Sequence, residues 1–440
     1  MASIRKRGGS YEITVSNGRT PDGKKIIDTA TFTPDPGRTD RQNEKALMTF
    51  AADFERRVKA GLSRGDGKSF QSFAEEWLAV YGEKELEQTT LESYRHYLAL
   101  VYPHIGNMKL TSIRPLTIQN TVNAIREKGY QLKNGRRKKY SEETLRGIRI
   151  TISSILSAAV EDGLLQNNPC IIRKRKKKSD RQERIINAWT PEQAAVFLDR
   201  IRTPIPVVVP AHTQTRRGKP VSIKEYTGRP IIVPLKYRAF FSLALYCGCR
   251  RGEIVALTWN DINFAAGTMT IRKATHYTAK TGQYTGTPKT KQSYRELFIP
   301  AAAVSELREL KREQAREIML LGSTWTGDRS QTTGYIFTQE TGQQMNISTP
   351  GTEFHRILDA INATLPAEEQ LPRIRLHDCR HTAASIMIAA GLDPVAVAHR
   401  LGHSDPTTTL RIYSHSFTES DRAAADILGQ AIDSKRKAIM

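Results

Sequence analysis

The apolar and polar positions change period several times along the chain, and each change predicts an element. Tyr11, Ile13 and Val15 alternate with Glu12, Thr14 and Ser16, the period of two of a half-buried strand. Pro21-Asp22-Gly23 is a turn signal, and Lys25–Phe32 reads as a second long strand, with a short one at Ser3–Arg7. Leu47, Phe50, Phe54 and Val58 then recur at helical spacing. A small α+β module, three strands on one helix, is expected over residues 1–62.

Residues 68–170 predict an all-helical domain. Phe70, Phe73 and Trp77 share one face, and Thr89-Thr90-Leu91-Glu92 offers a capping box ahead of the next helix. Pro115 suits a first helical position, in a helix ending near Gly129. A last helix begins near Ser141, with an apolar stripe of Leu145, Ile148, Ile152, Ile155 and Ala159. Arg146, Arg149, Ser153 and Ser157 form a second stripe, expected on the opposite side. Such a stripe suits phosphate contacts, although a solvated face has the same pattern.

Residues 173–184, RKRKKKSDRQER, carry eight basic side chains in twelve and cannot pack in a core. Residues 171–186 are therefore expected to be a basic linker, with Lys174 and Lys176 able to lie along a phosphate backbone. Thr190-Pro191-Glu192-Gln193 caps a new helix, so a third domain is expected over 187–415. In it, Tyr237–Cys249 reads as an apolar helix, and Thr268–Ala274 and Arg295–Pro300 as strands with a loop or hairpin between. Helices resume from Ala301, and residues 203–232 have no assignment. Residues 416–440 hold a short amphipathic helix on Ala424, Ile427, Leu428 and Ala431.

The 440 residues suggest two to four domains. No apolar run reaches the roughly 18–20 residues of a membrane span, and MASIRKRGGSYEI has no apolar core of a secretory signal. Four scattered cysteines point to a reducing cytoplasm. The formal charge of +22 attracts polyanions, duplex DNA being the densest, and the rival on charge alone is an RNA- or ribosome-binding protein. Arg5, Lys6, Arg7, Lys24 and Lys25 lie on or near the N-terminal sheet, and a thin basic sheet can enter a major groove. The loop GLSRGDGKS (61–69) fails as a phosphate-binding loop, because Leu62 stands where a glycine is required and no strand precedes it.

The candidate chemistry lies near the C-terminal end. His377, Arg380, His403 and Tyr413 fall within 37 residues, with no carboxylate or cysteine cluster to hold a metal. Arg250 is followed three residues later by Glu253, a spacing that lets the carboxylate brace the guanidinium. Alone, that spacing describes any surface ion pair. A metal site from His377, His403 and His415 lacks a supporting carboxylate pattern.

Together these segments resemble the tyrosine recombinase, or phage-type integrase, family. Cys247-Gly248-Cys249-Arg250-Arg251-Gly252-Glu253 with Leu257, Trp259 and Asp261 is similar to the family's first box, Cys247 standing where threonine is common. His377-Asp378-Cys379-Arg380, Leu401-Gly402-His403 and Tyr413 match the boxes that follow, and PKTKQSYR matches the hairpin motif at Lys289. Lys291 is the rival for that lysine's role.

The resemblance implies that Tyr413 attacks a scissile phosphate of double-stranded DNA, giving a 3′-phosphotyrosyl link and a free 5′-hydroxyl, without ATP, metal or other cofactor. Arg250 and Arg380 would meet charge on the non-bridging oxygens. His377 is the candidate acceptor of the tyrosine proton, His403 would bind a non-bridging oxygen, and Lys289 would protonate the departing 5′-oxygen.

The family's layout implies an arm-site-binding module, a helical core-binding domain, a mixed α/β catalytic domain and a tail docking on a neighbouring subunit. It also implies a tetramer on two DNA sites. Bending or excision proteins are further expected partners, and a membrane is not. The reading is an integrase of a conjugative transposon or prophage. A type IB topoisomerase and a catalytically silent DNA-binding regulator are the alternatives.

Overall fold

The computed structural model describes residues 2–19, 25–59, 68–132, 134–171, 187–209, 212–216, 219–223, 226–286 and 294–402. The chain divides into two compact units, Met1–Asp180 and Arg181–Met440.

The first unit holds two separate apolar cores. Strands β1 (Ser3–Arg7), β2 (Ser10–Arg19) and β3 (Lys25–Phe32) form an antiparallel sheet in that order. Helix α1 (Asp40–Lys59) covers one face, where Ile13, Val15, Leu47, Phe54 and Val58 are buried. The alternation in β2 and the spacing in α1 thus become one shared interior. Strand parity puts Arg5, Arg7 and Lys25 on the open face, all exposed. Lys6 falls on the parity of Ile4, its ammonium 5.8 Å from the Tyr11 ring centre. Glu12 shares the open face and pairs with Arg7 at 3.0 Å. Lys24 lies outside the described residues.

The second core belongs to helices α2 (Phe70–Trp77), α4 (Gln88–Ile105), α5 (Pro115–Lys128) and α6 (Glu142–Glu161), while the short α3 (Glu83–Glu85) buries no residue and β4 (Tyr130–Gln131) pairs with β5 (Arg137–Lys138). Ser141 caps α6 through Thr144, and all five residues of its apolar stripe are buried. Two expectations are corrected. Helix α4 starts one residue before Thr89, at Gln88, and its cap Glu87 makes no side-chain bond. The second α6 stripe borders the buried face instead of opposing it. Ser153 and Ser157 are half-buried there, and the Asn168 amide donates to their hydroxyls at 3.2 and 2.8 Å. Arg146 stays exposed, whereas Arg149 donates to Gln119 at 2.7 Å. Both arginines line a cleft of about 200 Å³ with Pro115, Gln119 and Ser153.

The second unit opens with α7 (Pro191–Arg200), capped by the Thr190–Gln193 box. The unassigned region is a β-ribbon in which β6 (Ile205–Val209) pairs with β9 (Tyr226–Ile231) and β7 (His212–Arg216) with β8 (Lys219–Ile223). Helix α8 (Leu235–Cys247) runs through the core, with Phe240, Phe241 and Leu243 wholly buried. After α9 (Arg251–Val255), the expected strand Thr268–Ala274 is two strands. Strand β11 (Thr268–Ile271) lies between β10 (Ile262–Asn263) and β14 (Arg295–Phe298), while β12 (Ala274–Thr278) and β13 (Gly282–Gly286) make a hairpin. Helices α10 (Ala301–Leu321), α11 (Thr349–Asn362), α12 (Asp378–Ala389) and α13 (Pro394–Leu401) follow among the described residues. Leu257 and Trp259 serve this core, the Trp259 indole donating to Gln314 at 2.7 Å. Asp261 accepts from the Thr258 backbone at 2.9 Å.

Candidate active site

Helix α8 stops because Gly248 takes a left-handed conformation, φ 62°, which costs glycine little. The chain then presents Arg250, in extended backbone, as the residue that starts α9. Its own N–H donates to Glu253 Oε2 at 2.8 Å and its Nη1 to Oε1 at 2.9 Å, while Nη2 donates to the Gly402 carbonyl at 3.0 Å. The three-residue spacing thus gives the expected brace, doubled by a backbone bond.

Glu253 is only 3% exposed, and a buried carboxylate needs more than one partly exposed partner. Arg295, at the head of β14, supplies the rest. Its Nη1 and Nη2 reach Oε1 and Oε2 at 3.1 and 2.9 Å, and its Nε donates to the Arg400 carbonyl at 2.9 Å. Burial works to raise the Glu253 pKa, but the bonds and charge of Arg295, then Arg250, hold it below the usual carboxylate value. Burial likewise opposes charge on Arg295, and Glu253 outweighs it, leaving that pKa raised. The sequence reading gave this residue no role, although it closes the PKTKQSYR motif. Strand parity was a further signal, since Arg295 alternates with Glu296 in phase with the buried Leu297.

His377 caps α12, one residue before its first turn, so Arg380 points back from that turn into the protein. Arg380 is 3% exposed. Its Nη1 donates to the Gly248 carbonyl at 2.8 Å, while Nη2 is buried without a hydrogen-bond partner among the described residues. Burial, and then the nearby charge of Arg250, push its pKa down to about 9, so it remains a cation at neutral pH. Desolvation, His381 and Arg380 lower the His377 pKa, and the two imidazole rings meet edge to face at 5.6 Å. Asp378 is buried against its own ion-pair partner, Arg375, at 2.9 Å.

Arg250, Glu253, Arg295, Arg380 and the Gly402 end of α13 are thus brought together. Two close approaches fix the arrangement. A Cβ on Gly402, whose φ is +69°, would stand 2.8 Å from Arg295 Nη1, and one on Gly252 would stand 2.4 Å from the Thr275 carbonyl oxygen. The second packs α9 onto the β12–β13 hairpin, the element that leads to Lys289. Lys289, Lys291, His403 and Tyr413 lie outside the described residues, as do His415, Lys174 and Lys176.

Three guanidiniums facing one carboxylate leave a surplus of positive charge, and an unsatisfied buried donor is costly unless something fills it. Chemically, the described part of the site has the charge and the free donor to receive an anion.

Residues 230–420 match the phage integrase family, and residues 69–126 match the phage integrase N-terminal SAM-like domain. The chain belongs to the phage integrase family. It is 25% identical over 434 residues, 95% of both chains, to a tyrosine recombinase XerC-like protein of Caldanaerobacter subterraneus subsp. tengcongensis. It is 26% identical over 290 residues, 66% of both chains, to the ICEBs1 integrase of Bacillus subtilis. The fold is that of the Tn1549 transposon integrase solved in complex with transposon right end DNA, with a TM-score of 0.63 at 18% identity, over 82% of this chain and 100% of that one. These integrase matches bear out the resemblance drawn from the motifs. Among the described residues, no helix is long and apolar enough to cross a membrane.

Proposed function

We propose that this integrase cleaves and rejoins double-stranded DNA at specific sites through a 3′-phosphotyrosyl link at Tyr413, integrating and excising a mobile element. One observation carries the reading at the described site. The Arg380 Nη2 is buried with no hydrogen-bond partner among the described residues, and Arg250 lies close enough to lower its pKa. Two such forks suit the non-bridging oxygens of one phosphate.

In this mechanism the Tyr413 hydroxyl attacks phosphorus as the bond to the 5′-oxygen breaks. His377, kept neutral near pH 7, takes the phenolic proton, Lys289 gives one to the departing oxygen, and His403 bonds a non-bridging oxygen. The energy of the broken ester stays in the new one, so neither ATP nor a metal ion is required. Residues 1–62 bind arm sites through Arg5, Arg7 and Lys25 on the open sheet face, with Lys6 and Lys24 adding charge. Residues 68–170 bind the core site near Arg146 and Arg149, the linker 171–186 follows the backbone with Lys174 and Lys176, and 187–415 cut. The tail 416–440 docks on a neighbour in a tetramer on two DNA sites, with bending or excision proteins assisting in the cytoplasm. The matches to integrases favour this over a type IB topoisomerase or a silent regulator.

The test is a suicide substrate nicked beside the cleavage point. Wild type is expected to accumulate a covalent adduct in EDTA without ATP, and Tyr413→Phe none. Equal adduct from both proteins overturns the reading, and site-independent relaxation of supercoiled plasmid would favour the topoisomerase.

A further inference from the structure

We infer that Arg295 is a positioning residue for strand cleavage, the counter-charge that leaves Arg250 free for the phosphate. The inference rests on the function proposed above.

Glu253 is buried and its pKa lowered, and its two oxygens receive four bonds from the described residues. Two come from Arg250, one of them from its backbone, and two from the guanidinium of Arg295. Arg295 is the more buried partner, its side chain 2% exposed against 39% for Arg250. The deep cation therefore neutralises the carboxylate at low dielectric, where the interaction is strongest. The shallower cation keeps its charge facing outward. Without Arg295, Arg250 would be the only cation among the described residues within bonding distance of Glu253, and a phosphate would compete with a buried carboxylate for it.

A second set of contacts ties the same side chain to the rest of the site. Arg295 Nε holds the Arg400 carbonyl, and a Cβ at Gly402 would run into its Nη1. Arg250 in turn donates to the Gly402 carbonyl. One guanidinium thus fixes the start of α9 and the end of α13, the residue before His403. Strand β14 can place it there because Arg295 has the parity of Leu297 on the core side.

The experiment is a double-mutant cycle on single-turnover cleavage of the suicide substrate at saturating protein, with DNA affinity measured separately. Arg295→Gln is expected to slow cleavage by about 10²-fold, the scale of losing one transition-state donor, with DNA affinity within about twofold. Arg250→Ala with Arg295→Gln is expected to be no slower than Arg250→Ala alone, because residues acting through one group are not additive. Arg295→Lys, which keeps the charge and loses the fork, is expected to recover part of the rate and also serves if the glutamine variant does not fold. Additive losses in the cycle, or loss of DNA binding in step with cleavage, overturn the inference. Absence of wild-type adduct would instead sink the proposed function itself.

Discussion

The Arg380 guanidinium donates to the Gly248 carbonyl at 2.8 Å, across 132 residues of sequence. The bond joins the first turn of α12 to the left-handed end of α8, and spends one donor of the fork on holding the other in place. Nη2, the donor without a partner among the described residues, belongs to the same group. An enzyme that carries such a cation gives up some stability for a site already shaped to its anion.

Arg380→Met should therefore separate activity from stability. Cleavage is expected to fall by about 10²–10³-fold. The melting temperature of the free protein should stay level or rise, because a buried cation with no ion-pair partner of its own among the described residues is removed. A clear drop in calorimetry would show that the guanidinium is structural.

Glu253→Gln has the opposite signature. Removing one partner of a buried pair leaves Arg295 uncompensated, a cost of about 3–5 kcal/mol and a melting temperature lower by roughly 10 °C. Acid acts on the same carboxylate. Its folded pKa lies below its ordinary 4.5, so the contribution is complete above that pH and is lost as pH falls through the lower folded value. Thermal scans from pH 3 to pH 7 should show this loss in wild type and not in Glu253→Gln.

His377 sets an acid limit on the reaction. Its folded pKa lies below the ordinary 6.5, so the imidazole is neutral and ready to accept a proton at pH 7. The single-turnover rate should fall as pH drops below that value, and the limb should vanish from the residual activity of His377→Ala. Stability follows the same sign. The unfolded chain binds the proton more readily, so stability is lost as pH falls through the unfolded value towards the folded one. An acid limb that persists unchanged in His377→Ala would remove His377 from the proton path.

Gly252→Ala tests the hairpin. The new Cβ would lie 2.4 Å from a backbone oxygen of β12, so the strand must move, at a cost of about 1–3 kcal/mol. Strands β12 and β13 lead to the segment bearing Lys289, so cleavage should weaken more than DNA affinity, here by about tenfold or more. Equal rates for variant and wild type would separate the hairpin's position from the chemistry.

The chain's own periodicity determined most elements. Alternation placed β2, and the Ser141 and Thr190 caps placed α6 and α7, because these signals act over three or four neighbouring residues. The motifs also determined the family, since Arg250, Glu253, His377 and Arg380 stand in their expected spacings. Tertiary structure alone decided which charges meet. Arg295 and Glu253 are 42 residues apart, and only the tertiary fold makes one the counter-ion of the other. The α6 stripe shows the same division. Its composition was legible, but Asn168, 15 residues beyond Ser153, took up the serine hydroxyls. Local pattern fixes the period of an element and its apolar stripe, whereas a buried polar group must find its partner wherever the fold brings one within about 3 Å.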